Sequence, residues 1–179
     1  VPLLGLAWWA LALPFLQRHT REQIARRPEL AGRDMAATRR ACERFADIPV
    51  AVMNFVEGTR FTPAKHASQA SPYRHLLKPK VGGVAFVLGA MGDRLDAILD
   101  VTLAYPGARP TLADLMGDRV AEVRVHVRLR PIPADLLDGD YATDRAYRVR
   151  AQAWINGLWA EKDAVMDALL SATARNEGQ

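Results

Sequence analysis

The sequence predicts a single α/β domain in which helices flank a central mixed or parallel sheet. Three observations point there. Short apolar runs closed by turn residues alternate along the chain with segments of helical periodicity. The length, 179 residues, suffices for one domain with a real core and is too short for two ordinary ones. Hydrophobic residues make up 50% and charged residues 25%, a globular balance that excludes wholesale disorder.

Residues 1–17 carry no charge, and Trp8 and Trp9 stand side by side. The run is shorter than the ~20 residues a helix needs to span a bilayer. No basic region or small-residue cleavage site marks it as a signal peptide. Three readings stay open: the end of a longer apolar segment, an interfacial helix with its indoles at headgroup depth, or a buried core helix. Pro14 ends or kinks any helix there. Residues 14–18 read as a short strand, and 19–32 as a polar, arginine-rich connection broken by Pro28. Residues 33–46 read as an amphipathic helix, with Met35, Cys42 and Phe45 on one face and Arg39, Arg40 and Glu43 on another.

Pro49 to Phe55 reads as a short buried strand, because its apolar residues run almost unbroken. Residues 61–81 read as a long loop, with Pro63, Pro72 and Pro79 among Lys65, His66, Arg74, His75, Lys78 and Lys80. Gly82-Gly83 opens a helix through about Met91. Residues 96–105 form the next strand, closed by Pro106-Gly107, and 111–117 form a helical turn.

The clearest strand is 120–130. Val123, Val125, Val127 and Leu129 alternate with Arg124, His126, Arg128 and Arg130. The expectation is a buried aliphatic face and a solvated basic one. Residues 132–140 form a short turn or helix. Residues 141–172 are mostly one helix, with an apolar stripe of Ala151, Trp154, Ile155, Leu158, Trp159, Val165, Met166 and Leu169. Thr173 to Gln179 is a polar tail.

Net charge is +4, carried by 20 Arg and only 4 Lys against 20 acidic residues. Arginine favours planar, bidentate binding of anions. No dense basic block occurs and the acidic residues are interspersed, so nucleic acid is not an expected partner. One cysteine excludes a disulfide framework and a thiolate zinc cluster within the chain. Four histidines leave little material for a metal site, and no metal or redox cofactor is expected.

The stretch that carries chemistry is Asn54-Phe55-Val56-Glu57-Gly58-Thr59-Arg60-Phe61-Thr62. A strand ends there, and ligands of open α/β sheets bind at that edge. Gly58 permits a tight turn and close approach of backbone to ligand. Arg60 can fork onto a phosphate. Glu57 can orient that arginine or accept from a substrate hydroxyl, and Thr59 adds a hydroxyl and an amide. The plainer alternative is a surface turn with a local ion pair.

This stretch resembles the third motif, Phe-Pro-Glu-Gly-Thr-Arg-Ser, of the glycerolipid acyltransferase superfamily, which includes the 1-acyl-glycerol-3-phosphate acyltransferases. Phe15-Leu16-Gln17-Arg18 is similar to the end of that family's second motif. Residues 76–88 (LLKPKVGGVAFVL) resemble the segment after the third. DAILDVTLAY resembles the fourth-motif strand of the branch holding lysocardiolipin-type and related bacterial acyltransferases. Val56 replaces the usual proline and Phe61 the usual serine, and the fourth-motif proline is missing; these departures also point to that branch.

The family's first motif, a histidine followed five positions on by aspartate, is absent. Ile24, Ser71, Lys80 and Pro131 stand five residues after His19, His66, His75 and His126. The resemblance therefore implies a domain incomplete at its N-terminus, cut between the first and second motifs. In those terms residues 1–140 form the C-terminal part of an acyltransferase domain, 141–172 a helix docking on it, and 173–179 a tail. The first methionine, Met35, lies well inside the chain, in keeping with that expectation.

The resemblance implies acyl transfer from acyl-CoA or acyl carrier protein, as co-substrate, to a lysophospholipid hydroxyl at a membrane surface, on the cytoplasmic face of a bacterial inner membrane. It implies that Glu57, Gly58, Thr59 and Arg60 hold the phosphorylated acceptor with help from Arg18, and it makes Lys65 and Lys80 weaker candidates. No catalytic residue is expected within these 179. Two other classes compete: a non-catalytic phosphate or lipid-headgroup binding module, and a basic interaction domain using the arginine face of 120–130.

Overall fold

The computed structural model of the protein describes residues 51–107, 110–137, 139–141 and 143–172. The expected apolar opening, the strand at 14–18, the helix at 33–46 and Arg18 lie outside the described residues.

The described chain holds four α-helices and two strands: α1 (Pro63–Gln69), α2 (Val81–Met91), β1 (Ile98–Ala104), α3 (Leu112–Met116), β2 (Arg124–Arg130) and α4 (Arg145–Ser171). Short 3-10 turns lie at Gly92–Arg94 and Ala134–Leu136. This is compatible with a single α/β domain.

Helices α1, α3 and α4 begin where the sequence supplies a side-chain cap. Thr62 accepts from the Lys65 amide and Pro63 fills the first helical position of α1. Thr111 and Asp114 form a reciprocal capping box at α3. Asp144 accepts from the Ala146 and Tyr147 amides at α4. The expected loop at 61–81 is thus corrected: a helix occupies 63–69. Pro63 starts that helix rather than breaking it, because a first-turn proline loses no intrahelical hydrogen bond.

The core lies between α2 and α4. Val81, Ala85 and Leu88 pack with Leu76, Leu136, Tyr147, Ala151, Ile155 and Trp159. The Tyr147 hydroxyl lies between the Leu136 and Ala85 carbonyls, at 3.0 and 3.2 Å, which satisfies a fully buried phenol. Gly89 admits a close approach of the chain: a Cβ there would stand 2.1 Å from the Gly139 carbonyl oxygen. The half-buried Trp154, Leu158 and Met166 pack against this core, as expected of their stripe.

Strands β1 and β2 pair antiparallel, with Ile98 opposite Arg130 and Ala104 opposite Arg124. Their polarity reverses the sequence expectation. Val125, Val127 and Leu129, with Leu99, Val101 and Leu103 across the ladder, are exposed. Asp100, Thr102, Arg124 and Arg130 form the other face, which meets α4. Alternation says that two faces differ but not which one meets the helix. Here α4 presents Glu161 and Lys162, and the charged face of the sheet supplies their partners.

Lys162, only 9% exposed, donates to the Val101 carbonyl and the Thr102 hydroxyl at 2.9 Å each and pairs with Asp100 at 2.5 Å. Arg130 bridges Asp100 and Glu161 at 2.9 Å each. Arg124 donates to the Leu169 carbonyl.

The expected strand at 49–55 is also corrected within the described residues. Residues 51–55 have no ladder partner among them, and Met53 and Phe55 are 82% and 79% exposed. An apolar run identifies a segment suited to burial; a strand also needs a neighbour to receive its hydrogen bonds.

Candidate functional site

The site begins at a tight turn. The Gly58 amide donates to the Phe55 carbonyl at 2.8 Å, and Gly58 adopts φ +64°. That left-handed conformation is why glycine stands here. The turn leaves Arg60 exposed and Thr59 half-buried, and sends Glu57 back toward residue 77.

Glu57 does not pair with Arg60. Its Oε1 accepts from the Leu77 amide at 3.2 Å, and its side chain is half-buried. Burial pushes the Glu57 carboxyl above its ordinary value, a rise that the Leu77 N–H and the charge of Lys162 partly offset. The expectation that Glu57 orients Arg60 is therefore corrected. Glu57 ties the turn to residues 76–80, and Lys80 N–H adds a second tie to the Val56 carbonyl at 2.8 Å.

Lys65, a weaker candidate from the sequence, meets the turn directly. It sits at the third position of α1, and helical side chains lean toward the N-terminus. Its ammonium therefore reaches back across the helix start, donating to the Thr59 hydroxyl at 2.6 Å and the Arg60 carbonyl at 3.2 Å. Lys80 lies against the turn from the other side: a Cβ on Gly58 would stand 3.0 Å from Lys80 Cδ and 3.2 Å from its Nζ.

The structure thus brings together Gly58, Thr59, Arg60, Lys65 and Lys80. Among the described residues none of the three cations has a carboxylate partner, since the nearby Glu57 is turned inward. A concentration of positive charge with a hydroxyl whose own O–H can still donate, beside a glycine turn, suits an anion.

The two described loop histidines are engaged elsewhere. His66 Nε2 lies 2.6 Å from the Tyr73 carbonyl, so that nitrogen carries the proton. His75 Nε2 pairs with Asp167 at 2.8 Å, on a carboxylate oxygen shared with Arg74. Among the described residues no group of three or more His, Cys, Asp or Glu side chains is placed to hold a metal ion. No helix among them is long and apolar enough to cross a membrane.

Sequence reasoning missed the residues behind the turn. Trp159 donates its indole N–H to the Leu77 carbonyl at 3.1 Å. Asn54 lies against Gly83, where an added Cβ would stand 3.1 Å from its Nδ2. No local pattern announces a contact spanning 82 positions, though the buried Trp159 at least predicts a polar partner for its N–H.

Mouse 1-acyl-sn-glycerol-3-phosphate acyltransferase gamma is 29% identical to the chain over 181 residues, 93% of this chain and 42% of the mouse protein. Arabidopsis thaliana 1-acyl-sn-glycerol-3-phosphate acyltransferase 2 is 27% identical, over 96% of this chain and 42% of its own length. Mouse lysocardiolipin acyltransferase 1 is 30% identical over 127 residues, 64% of this chain and 31% of the relative. The chain is thus similar in sequence to acyltransferases of the glycerolipid acyltransferase superfamily. It spans less than half the length of these acyltransferase relatives. No protein-family model and no solved structure matches the chain.

Proposed function

We propose that the chain supplies the acceptor-phosphate site of an enzyme that transfers an acyl group from a thioester to a lysophospholipid hydroxyl. In the reaction the hydroxyl oxygen bonds to the thioester carbonyl carbon, the carbon–sulfur bond breaks, and the thiol leaves with the proton. The base that takes the hydroxyl proton is not among these residues; the motif that would carry it is absent from this sequence.

The observation that supports the reading is the set of three cations around Gly58 and Thr59 that have no carboxylate partner among the described residues. Arg60 forks onto the phosphate, while Lys65 and Lys80 neutralise it from either side. Thr59 accepts from Lys65 and donates its own O–H to the phosphate. Glu57 keeps the turn in place from behind. Arg18 assists from outside the described residues. The co-substrate is acyl-CoA or acyl carrier protein, and the reaction takes place at a membrane surface, where the acceptor resides.

The test measures binding of 1-oleoylglycerol 3-phosphate in mixed micelles to the protein made from its full reading frame, together with acyl transfer from oleoyl-CoA. Arg60→Ala should weaken acceptor binding by about tenfold or more, the scale of a lost charge-assisted hydrogen bond. Unchanged binding in Arg60→Ala would remove the site assignment. Intact binding without transfer from any thioester would favour a headgroup-binding module instead.

A further inference from the structure

We infer that Trp159 is a positioning residue for the acceptor turn, acting through Leu77 on Glu57. This rests on the reading of that turn as the acceptor-phosphate site.

One side of α4 runs along residues 73–77 and holds them at successive points. The Tyr73 hydroxyl donates to the Asn156 carbonyl at 3.3 Å. Asp163 accepts from the backbone amides of Arg74 and His75 at 2.7 and 2.8 Å. Asp167 accepts from the Arg74 and His75 side chains. Positions 156, 159, 163 and 167 are spaced by three and four, so they share one helix face.

Leu77 is the joint between this face and the turn. It is fully buried, at 0% exposure, and both of its peptide groups' polar atoms are committed. Its N–H goes to Glu57 at 3.2 Å, and its carbonyl accepts from Trp159 at 3.1 Å. Trp159 is itself only 8% exposed, and Lys162 lies 5.9 Å from the centre of its ring. The indole therefore sets where the Leu77 backbone lies, and that backbone sets where Glu57 draws the turn. Three residues farther on, the chain delivers Lys80 to Gly58. Removing the Trp159 N–H leaves the Leu77 carbonyl buried without this donor and free to move toward another. The movement reaches the cations of the turn without altering any of them.

The test uses the protein from its full reading frame and compares two affinities, for 1-oleoylglycerol 3-phosphate in mixed micelles and for oleoyl-CoA. Trp159→Phe keeps most of the packing and removes the N–H. It should weaken acceptor binding roughly fivefold, the scale of one neutral hydrogen bond, and leave oleoyl-CoA binding unchanged. With Glu57→Ala already present, Trp159→Phe should add little, because the route through Glu57 is gone. Asp163→Asn, which weakens the same rail, should shift acceptor binding in the same direction and serves if Trp159→Phe does not fold. Arg60→Ala is the control for the site. If Arg60→Ala weakens acceptor binding while Trp159→Phe and Asp163→Asn do not, the positioning role is overturned and the site stands. Additive effects of Trp159→Phe and Glu57→Ala overturn it equally. If Arg60→Ala has no effect, the site reading fails and the positioning role falls with it.

Discussion

Lys65 places its ammonium 2.6 Å from the Thr59 hydroxyl, reaching backward over the first turn of its own helix. A cation at that end of a helix opposes the helix dipole, so the position has no local advantage for stability. Its advantage lies in what the ammonium faces. Lys65→Met should weaken binding of 1-oleoylglycerol 3-phosphate by about tenfold while changing stability by no more than a few tenths of a kcal/mol. Calorimetric titration beside thermal melting checks both halves. A large loss of stability with unchanged affinity would contradict the assignment.

Gly58 predicts a substitution with two consequences. Alanine at φ +64° costs about 1–2 kcal/mol. Its Cβ would also press on the Lys80 side chain at 3.0 Å, which must shift. Gly58→Ala should therefore lower the urea midpoint and weaken acceptor binding together. Lys80→Ala should weaken binding alone. Equal urea midpoints for Gly58→Ala and the parent would show that the turn relaxes.

The charges beneath the sheet predict a large effect. Asp100 neutralises both Lys162 and Arg130 where each is nearly buried. Asp100→Ala removes the carboxylate partner of Lys162 and one of the two that Arg130 has, and should cost about 3–5 kcal/mol, the range for breaking a buried pair from one side. Val127→Thr, at an exposed position on the opposite face, should stay within about 0.5 kcal/mol. Urea unfolding of the two variants measures the contrast directly.

The same carboxylate sets a response to acid. Burial alone would raise the Asp100 pKa, but hydrogen bonds and charge from Lys162 and Arg130 outweigh it and hold the value below 3.8. A depressed folded pKa means stability that is present above pH 3.8 and lost as pH falls through the folded value. Glu57 has the opposite sign. Its raised pKa gives a contribution that is full below pH 4.5 and lost as pH rises through the folded value. Glu57→Gln should therefore melt no lower than the parent at pH 7, and its relative advantage should shrink toward pH 4. Melting curves at the two pH values decide this; a lower midpoint for Glu57→Gln at pH 7 would oppose it.

Much of this arrangement is legible in the chain. The helices at 81–91, 112–116 and 145–171 and the strands at 98–104 and 124–130 follow from periodicity and turn residues, which are local properties. The helix at 63–69 was hidden because prolines at 63, 72 and 79 count alike in a composition but act differently by position. The Gly58 turn was legible because glycine is needed there for a local reason. The partner of Glu57 was not, since the Leu77 amide that receives it lies 20 residues away and any residue type supplies an amide. The facing of the sheet was not either. Hydrophobicity favours aliphatic side chains inward, and only the sequence-distant Glu161 and Lys162 on α4 tip the choice the other way.

A sheet with its charges turned inward has few left to repel a second sheet. Leu99, Val101, Leu103, Val125, Val127 and Leu129 form a flat patch of branched side chains, the surface that two colliding copies bury most readily. Loss of this chain from solution should then begin as a two-body event. Its initial rate should grow with the square of concentration, and salt should hasten it only weakly. Light scattering across a dilution series would reveal that order, and a lysine at position 127 should slow it.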